Sequence, residues 1–320
     1  MFDDDDARPA GLAPDLLIHR AAVFERGVNA DDIKRRLARG DWQAIRRGVY
    51  VRSSALASLD AQDQHRLRVS ATMSQLDGPH VVSHLSAACM HGIALLRNPG
   101  QVVQVTNPVT HSGHRRRSLQ TFCAALDPDE ITTVNGYPAT TIARTIIDVA
   151  RVGGFDQGLV AADHALSQGW VDRGQLSACA ARAAHRSGIR RAHQVIAFAD
   201  PGAESVGESR SRIVMDREGL PTPELQFRVV DRLGTVFART DFRWREFNTL
   251  GEFDGAVKYG RALTDGQSAG DAVFEEKLRE DRIREQGFNV VRWVWDELDD
   301  PRALADKIRR AMDRGRAMAG

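Results

Sequence analysis

Two short segments in the last third of the chain, Val236-Phe-Ala-Arg-Thr-Asp-Phe242 and Thr249-Leu-Gly-Glu-Phe-Asp254, decide its fold class. Apolar side chains alternate along the first segment well enough to predict a β-strand, and the second is a candidate strand as well. Asp241 stands near the end of the first segment, whereas Glu252 and Asp254 lie two residues apart in the second. Because side chains at positions i and i+2 leave a strand on the same face, this pair converges on one point. The sequence therefore predicts neighbouring strands that bring carboxylates together.

A helix predicted over residues 205–218 precedes these strands and adds a further acid, Glu208. Bringing several carboxylates together is costly unless a cation neutralises them, and clusters that offer only oxygen are what Mg²⁺ prefers. The helix–strand–strand spacing of these acids suits a metal-dependent nuclease. The alternative is that Asp241 and Asp254 are turn residues at strand ends and that Glu208 is an exposed helix residue.

The surrounding pattern predicts an α/β domain over residues 203–320, which begins after the turn-forming dipeptide Pro201-Gly202. Its predicted elements are, in order, a helix over 205–218, strands over 225–231, 236–242 and 249–254, a helix over 272–286, a strand over 290–295 and a helix over 302–318.

Three motifs of this domain resemble the PD-(D/E)xK nuclease superfamily, and within it the Vsr-like branch of very short patch repair endonucleases. The motifs are Glu208-Ser-Arg-Ser-Arg212, Thr240-Asp-Phe242 and Gly251-Glu-Phe-Asp-Gly255. The downstream residues that look like the same branch are Arg279, Ile283, Gly287, Phe288 and the run 290–293. The resemblance implies a restriction-endonuclease-like α/β fold and Mg²⁺-dependent hydrolysis of DNA phosphodiester bonds.

The resemblance also implies a role for each acid. Asp241 matches the strand-borne metal-binding aspartate, and Glu252 matches the first acidic residue of the (D/E)xK motif. Glu208 matches the helix-borne acid that some members add to the metal shell. Asp254 stands where the family has a lysine, and we expect it to be a further ligand. The implied Mg²⁺ ligands are therefore Glu208, Asp241, Glu252 and Asp254.

Two lysines are candidates for a migrated counterpart of the motif lysine. Lys258 has the same strand parity as the acids, and Gly255 allows the chain to bend back, while Lys277 lies on the following predicted helix. Phosphodiester hydrolysis needs charge neutralisation and an activated water from metal ions, and a cation that stabilises the charge of the transition state. The predicted catalytic residues are accordingly Asp241, Glu252, Lys258 and Lys277.

The N-terminal part predicts a small basic module over residues 12–55. Helices over 12–26 and 30–39 and a two-stranded ribbon over 42–51 follow one another, which is the order expected of a winged helix. Residues 31–52 hold seven Lys and Arg against three Asp. Cations on such a helix and wing favour DNA contacts, although a solvated basic helix face is the alternative. The cations predicted to contact DNA are Lys34, Arg35, Arg36, Arg39, Arg46 and Arg47.

The motif Arg47-Gly-Val-Tyr50 resembles the N-terminal winged-helix domain of AbiEi-type antitoxins, which act as transcriptional repressors. The segment 140–145 also looks like the middle region of that family. The resemblance implies DNA as a partner and makes a cognate toxin a possible second one.

Composition completes these expectations. At 320 residues the chain predicts two or three domains, and a composition of 42% hydrophobic and 27% charged residues with a net charge of +1 is that of a globular protein. The predicted elements and the two resemblances make the expected fold class α/β and α+β, multidomain. Residues 1–11 are expected to be disordered, and 56–200 to form a middle domain, first mixed α/β and then helical. Three scattered cysteines support neither a zinc site nor a disulfide framework. The absence of an apolar stretch of about 18 residues and of a signal peptide predicts a cytoplasmic protein without a membrane span.

Two functions from different classes follow. The first is a DNA-binding protein with a Mg²⁺-dependent endonuclease-like domain, which the convergence of the acids favours. The second is a non-enzymatic, AbiEi-like antitoxin or repressor whose nuclease fold is inactive, which the missing lysine favours. The sequence leaves open the DNA recognised, any cognate toxin and the oligomeric state.

Overall fold

A computed structural model describes residues 16–109, 112–255 and 278–319. The chain forms two compact units, Met1–Ala199 and Asp200–Gly320. Helices combine with three sheets in the described residues, so the predicted mixed α/β class is confirmed. No helix within these ranges is long and apolar enough to cross a membrane.

The first unit opens with a three-stranded sheet and two helices. The elements are β1 (Ile18–His19), α1 (Arg20–Glu25), α2 (Ala30–Ala38), β2 (Trp42–Arg46) and β3 (Val49–Arg52). The strand order is β1-β3-β2, and both pairings are antiparallel. The helix predicted over 12–26 is wrong at 18–19, because these two residues pair with Tyr50 and Val49 of β3. Helix α2 begins with a reciprocal capping box, in which the Asn29 side chain accepts the Asp32 N–H at 2.9 Å.

The rest of the first unit contains a six-stranded mixed sheet followed by four helices. Its first elements are α3 (Ser53–Ala57), α4 (Ala61–Met73), β4 (Val81–Val82), α5 (His84–Met90), β5 (Val103–Asn107), β6 (His114–Arg115), β7 (Leu119–Cys123), β8 (Ile131–Val134) and β9 (Tyr137–Thr140). The helices are α6 (Ile142–Gly153), α7 (Phe155–Ser167), α8 (Arg173–Arg182) and α9 (Ile189–Phe198). The sheet order is β6-β7-β5-β4-β9-β8. Asn135 and Gly136, in the turn between β8 and β9, have φ of 51° and 80°, as a type I′ hairpin requires.

A buried ion network lies inside this unit. The Arg144 side chain is 1% exposed and contacts Glu130 at 2.8 Å and Asp148 at 2.7 Å. Arg151 contacts the second oxygen of Asp148 at 2.6 Å. Because both acids are almost fully buried, each depends on these guanidinium groups for neutralisation. The network ties the turn before β8 to helix α6.

Two buried histidines have their charged forms suppressed. His65 lies against the Ser86 hydroxyl at 2.8 Å, and His84 lies against the Ser83 hydroxyl at 2.9 Å. The His84 ring also stacks on Phe122, with ring centroids 3.7 Å apart. Burial lowers the pKa of each imidazole to about 4. Both are therefore neutral at neutral pH.

The three cysteines all lie in described parts of the first unit, and none forms a disulfide. Burial raises the pKa of the Cys89 thiol to about 12 and that of Cys179 to about 11. Cys123, at the end of β7, is exposed.

The second unit is a four-stranded sheet with helices on both faces. Its elements are α10 (Val206–Arg217), β10 (Glu224–Val230), β11 (Val236–Trp244), β12 (Thr249–Asp254), α11 (278–285, the described part), β13 (Asn289–Val294) and α12 (Pro301–Ala319). The strand order is β10-β11-β12-β13, with β13 parallel to β12 and the other pairings antiparallel. The strands and helices predicted for this unit are confirmed to within a residue or two wherever the structure describes them.

The two faces of this sheet differ. On one face Phe242, Trp244 and Trp293 form a buried cluster with residues of α10 and α12. On the other face Leu250 packs against Ile283 of α11. Strand alternation puts residues 252 and 254 on the same face as Leu250. The acids of β12 therefore lie on the α11 side of the sheet.

Candidate functional site

A pocket of about 250 Å³ lies on the α11 side of the second unit's sheet. Three of the predicted site residues line it, Asp241, Glu252 and Asp254. The other lining residues are Arg239, Phe253, Arg279 and Arg292. The structure thus brings acids from two neighbouring strands together, and it surrounds them with three guanidinium groups.

Asp241 lies where the regular pairing of β11 with β12 ends. The last paired residues on this side are Phe242 and Gly251, and beyond them Asp241 Oδ2 accepts the backbone N–H of Phe253 at 2.7 Å. A side-chain oxygen therefore takes the place of a backbone acceptor. Burial raises the pKa of Asp241 to about 7, opposed by the Phe253 hydrogen bond and reinforced by the negative charges of Glu208 and Glu252. A negative charge at Asp241 is thus costly without a cation beside it.

Glu252 is held by two arginines from different elements. Arg279 of α11 donates to both of its oxygens at 2.8 and 3.0 Å, and Arg292 Nε of β13 lies 2.7 Å from Oε2. The parallel register explains the second contact, since Glu252 and Arg292 are paired across β12 and β13. Arg292 also contacts Glu280 at 3.3 Å. The charge of Glu252 is therefore balanced within the protein.

Glu208 sits at the start of α10, outside the residues that line the pocket. Its Oε1 accepts from the Ser205 hydroxyl at 2.7 Å, and its Oε2 accepts from the Glu204 N–H at 3.0 Å and from Gln226 at 2.9 Å. Burial raises its pKa. Its hydrogen bonds give it a structural role at the helix start, and its negative charge acts on Asp241 through space.

Two of the predicted catalytic residues, Lys258 and Lys277, lie outside the described residues. Within residues 16–109, 112–255 and 278–319, no group of three or more His, Cys, Asp or Glu side chains is arranged to hold a metal ion.

Sequence reasoning assigned no role to Arg239, Arg279 and Arg292, which line the pocket with the acids. Arg239 stands two residues before Asp241 on the same strand, and this spacing predicts that the two side chains lie on the same face of the sheet. Arg239 forms a bidentate pair with Glu204 at 2.9 and 2.8 Å. Arg279 and Arg292 belong to the downstream residues that resemble the Vsr-like branch, but the sequence did not indicate their contact with Glu252, which lies 27 or more residues away.

The basic module of the first unit presents most of its predicted DNA contacts to solvent. On α2 Lys34 is exposed, Arg35 is exposed and ion-paired with Asp32, and Arg36 lies 4.7 Å over the Trp42 ring. Arg39 follows at the C-cap, and Arg47 is exposed in the turn between β2 and β3.

Arg46 differs from these cations. Its Nη1 is buried and has no hydrogen-bond partner among the described residues, and burial lowers its pKa.

Comparison with known proteins assigns no activity. No protein-family profile matches the chain. Two curated relatives, the uncharacterized proteins MT2308 and Rv2248 of two Mycobacterium tuberculosis strains, are each 34% identical over 189 residues, which is 58% of this chain. The matched region spans 66% of the length of each relative, just under two thirds. The crystal structure of the RV2827C protein from Mycobacterium tuberculosis aligns with 14% identity and a TM-score of 0.38, over 61% of this chain and 75% of that one.

Proposed function

We propose that this protein binds DNA and that its second unit is an endonuclease-like domain that hydrolyses DNA phosphodiester bonds with the help of Mg²⁺. One observation carries the proposal. Asp241, Glu252 and Asp254, from two adjoining strands, line one small pocket together with three arginines. Acids beside cationic groups suit a reaction in which a cation and a phosphate meet.

The donors of the pocket fit Mg²⁺ by their chemistry. Carboxylate oxygens are hard ligands, and Mg²⁺ is commonly held by one or two carboxylates while it keeps several waters. A site of that kind needs fewer than three protein ligands. The raised pKa of Asp241 marks the position where a bound cation relieves most unfavourable charge. Asp241 and one further acid of β12 would hold the ion, which when bound supplies charge neutralisation at the phosphate and an activated water.

The protein's own groups contribute position and charge. The Phe253 N–H fixes the Asp241 carboxylate at the point where β11 and β12 part. Arg279 and Arg292 are rigid planar donors that match phosphate oxygens, so they suit the negative charge of a scissile phosphate. Their placement on α11 and β13 offers a cationic role near the acids that does not require Lys258 or Lys277.

The DNA-binding part of the proposal rests on α2 and the turn after β2. Lys34, Arg35, Arg39 and Arg47 are exposed on a module of net positive charge. Such cations neutralise phosphates and release counterions, which makes affinity depend on salt. We propose that this module is a winged helix and that α2 contacts DNA.

The decisive experiment compares the full-length protein with Asp241→Asn. Supercoiled, mismatched and branched DNA are each incubated with Mg²⁺ or with EDTA. The asparagine keeps an acceptor for the Phe253 N–H but removes the charge, so we expect cleavage by the wild type alone and only with Mg²⁺. Asp306→Asn is the matched control, because Asp306 forms an exposed pair with Arg309 on α12. Cleavage that survives Asp241→Asn would refute the proposal.

A second candidate function has its own supporting observation. Glu252 is already neutralised by two arginines, and an aspartate stands at the family's lysine position. Both favour a non-enzymatic repressor of the antitoxin type, with the second unit as a scaffold or as a surface for a cognate toxin. Tight binding to a specific promoter, without cleavage of any of the three DNA substrates, would establish this function instead.

A further inference from the structure

Two guanidinium groups contact one carboxylate, that of Glu252, among the residues that line the pocket of the second unit. We propose that Arg279 and Arg292 are a phosphate-binding pair and that Glu252 occupies this pair as an internal anion while no phosphodiester is bound. The inference deepens the proposed function and rests on it, since it names the groups that receive the phosphate. It adds an autoinhibitory contact to the site.

The chemistry of the contact permits an exchange of anions. A guanidinium group presents its N–H donors in a fixed fork that fits a carboxylate and a phosphate equally well. Arg279 donates from Nη2 to both oxygens of Glu252, and Arg292 adds an ion-pair contact through Nε at 2.7 Å. A phosphate of suitable position can therefore replace the carboxylate without any change in the type of hydrogen bond.

The exposure of the three side chains permits the exchange as well. The side chains of Arg279 and Arg292 are 27% and 30% exposed, whereas that of Glu252 is 12% exposed. The two arginines are therefore more accessible to an anion from solvent than the acid that they contact.

Displacement of Glu252 from the arginines costs free energy, and this cost links the binding of phosphate to the binding of a divalent cation. Once it leaves the arginines, its charge lies in the same small pocket as the carboxylates of Asp241 and Asp254, without the two guanidinium groups that balance it. A divalent cation removes this cost. Binding of phosphate and binding of cation are therefore coupled, and each raises the affinity for the other. Without the cation, Glu252 competes with phosphate for the same two arginines.

The test measures binding of a small probe to the full-length protein, without any reaction. The probe is the 5′-phosphorylated thymidine dinucleotide, titrated by calorimetry in EDTA. Glu252→Gln keeps the size of the side chain but removes the competing charge, so we expect its Kd for the probe to fall about tenfold or more below that of the wild type. Addition of Mg²⁺ should tighten the wild-type complex and change the Glu252→Gln complex far less. An unchanged or weaker affinity of Glu252→Gln in EDTA would overturn the proposal.

Matched variants locate the increase in affinity. Arg279→Gln combined with Glu252→Gln should abolish it, because the additional hydrogen bonds to the probe come from Arg279. Arg309→Gln is the control, since Arg309 is exposed on α12 and pairs with Asp306 outside the pocket lining. Binding that persists without Arg279, or that disappears with Arg309, assigns the probe to another surface and contradicts the inference.

A second measurement covers the case in which Glu252→Gln does not fold. Arg279→Gln alone, in Mg²⁺, should then raise the Kd for the probe about tenfold. Calorimetric binding of Mg²⁺ alone should not weaken, because Glu252 loses a competing cation. An unchanged probe affinity would refute the pair. The outcomes also separate this inference from the hydrolase proposal. Tighter binding by Glu252→Gln without DNA cleavage by the wild type upholds the pair alone, whereas cleavage without tighter binding upholds the hydrolase alone.

Discussion

Replacement of Gly251 by alanine tests how tightly Trp244 and Trp293 are packed in the core of the second unit, on the face of the sheet opposite the pocket. A Cβ at this position would lie 2.8 Å from Cη2 of Trp293 and 2.9 Å from Cζ3 of Trp244. Both indoles are almost fully buried and are fixed by hydrogen bonds, Trp293 to the Ser211 hydroxyl at 2.7 Å and Trp244 to the Pro221 carbonyl at 2.8 Å. Neither ring can therefore turn aside without losing a buried bond.

Two destabilising contributions and one stabilising contribution set the size of the effect. Overpacking of a rigid core costs about 1–3 kcal/mol, and loss of one indole hydrogen bond adds about 1 kcal/mol. Alanine gains only about 0.5–1 kcal/mol from the reduced entropy of the unfolded chain. We therefore expect Gly251→Ala to lower the free energy of unfolding of the second unit by about 2 kcal/mol, on the balance of these terms.

Urea unfolding followed by tryptophan fluorescence measures this change. Trp244, Trp293 and Trp295 report the second unit and Trp42 and Trp170 the first, so separate transitions are assigned by circular dichroism and by single Trp→Phe variants. Trp293→Phe should relieve part of the clash, so the double variant should lose at least about 0.5 kcal/mol less than the sum of the single losses. Stability within about 0.5 kcal/mol of the wild type for Gly251→Ala would refute the argument that the indoles are fixed.

Three further predictions concern the first unit. Arg144→Met should lower the free energy of unfolding by about 3–5 kcal/mol, because it leaves two buried acids without their main partner, and chemical denaturation measures the loss. His65 and His84 have native pKa values of about 4 against about 6.5 when unfolded, so their stabilising contribution is complete above pH 6.5 and is lost as the pH falls toward 4. The loss is about 3 kcal/mol for each histidine. The melting temperature should therefore fall less between pH 7 and 4 in His65→Gln than in the wild type, and an equal fall would contradict the assignment. Lys34→Gln with Arg39→Gln should reduce the slope of log K against log salt for DNA binding by about 0.9 for each phosphate that is no longer neutralised, and an unchanged slope would remove α2 from the interface.

The helices and strands of the second unit were largely predictable, because apolar and polar residues alternate along its strands and common sequence signals mark the ends of its helices. Strand parity predicted that Glu252 and Asp254 share one face, and the spacing of two neighbouring strands placed Asp241 near them. The role of Arg292 could not be predicted in this way, because it depends on the parallel register of β13 against β12, which the sequence does not state. The same holds for Arg279, whose contact depends on where α11 lies over the sheet.

The first unit shows two further reasons for missed features. Residues 18 and 19 were predicted as helix from their apolar spacing, but pairing with β3 overrides that local preference. Asp148 stands four residues after Arg144 on α6, which is a local signal for an ion pair. The contact of Arg144 with Glu130 arises only when the turn before β8 meets α6. Local patterns predict elements well and give little information on contacts between distant elements.

The three cysteines differ in burial, so the native protein can be labelled at a single thiol. Thiols react as thiolates, and with pKa values of about 12 and 11 those at 89 and 179 stay protonated and shielded. A maleimide dye should therefore modify the side chain at 123 alone, at the tip of β7. A fluorophore placed there would report whether the first unit binds labelled oligonucleotides, as proposed, without any engineered substitution.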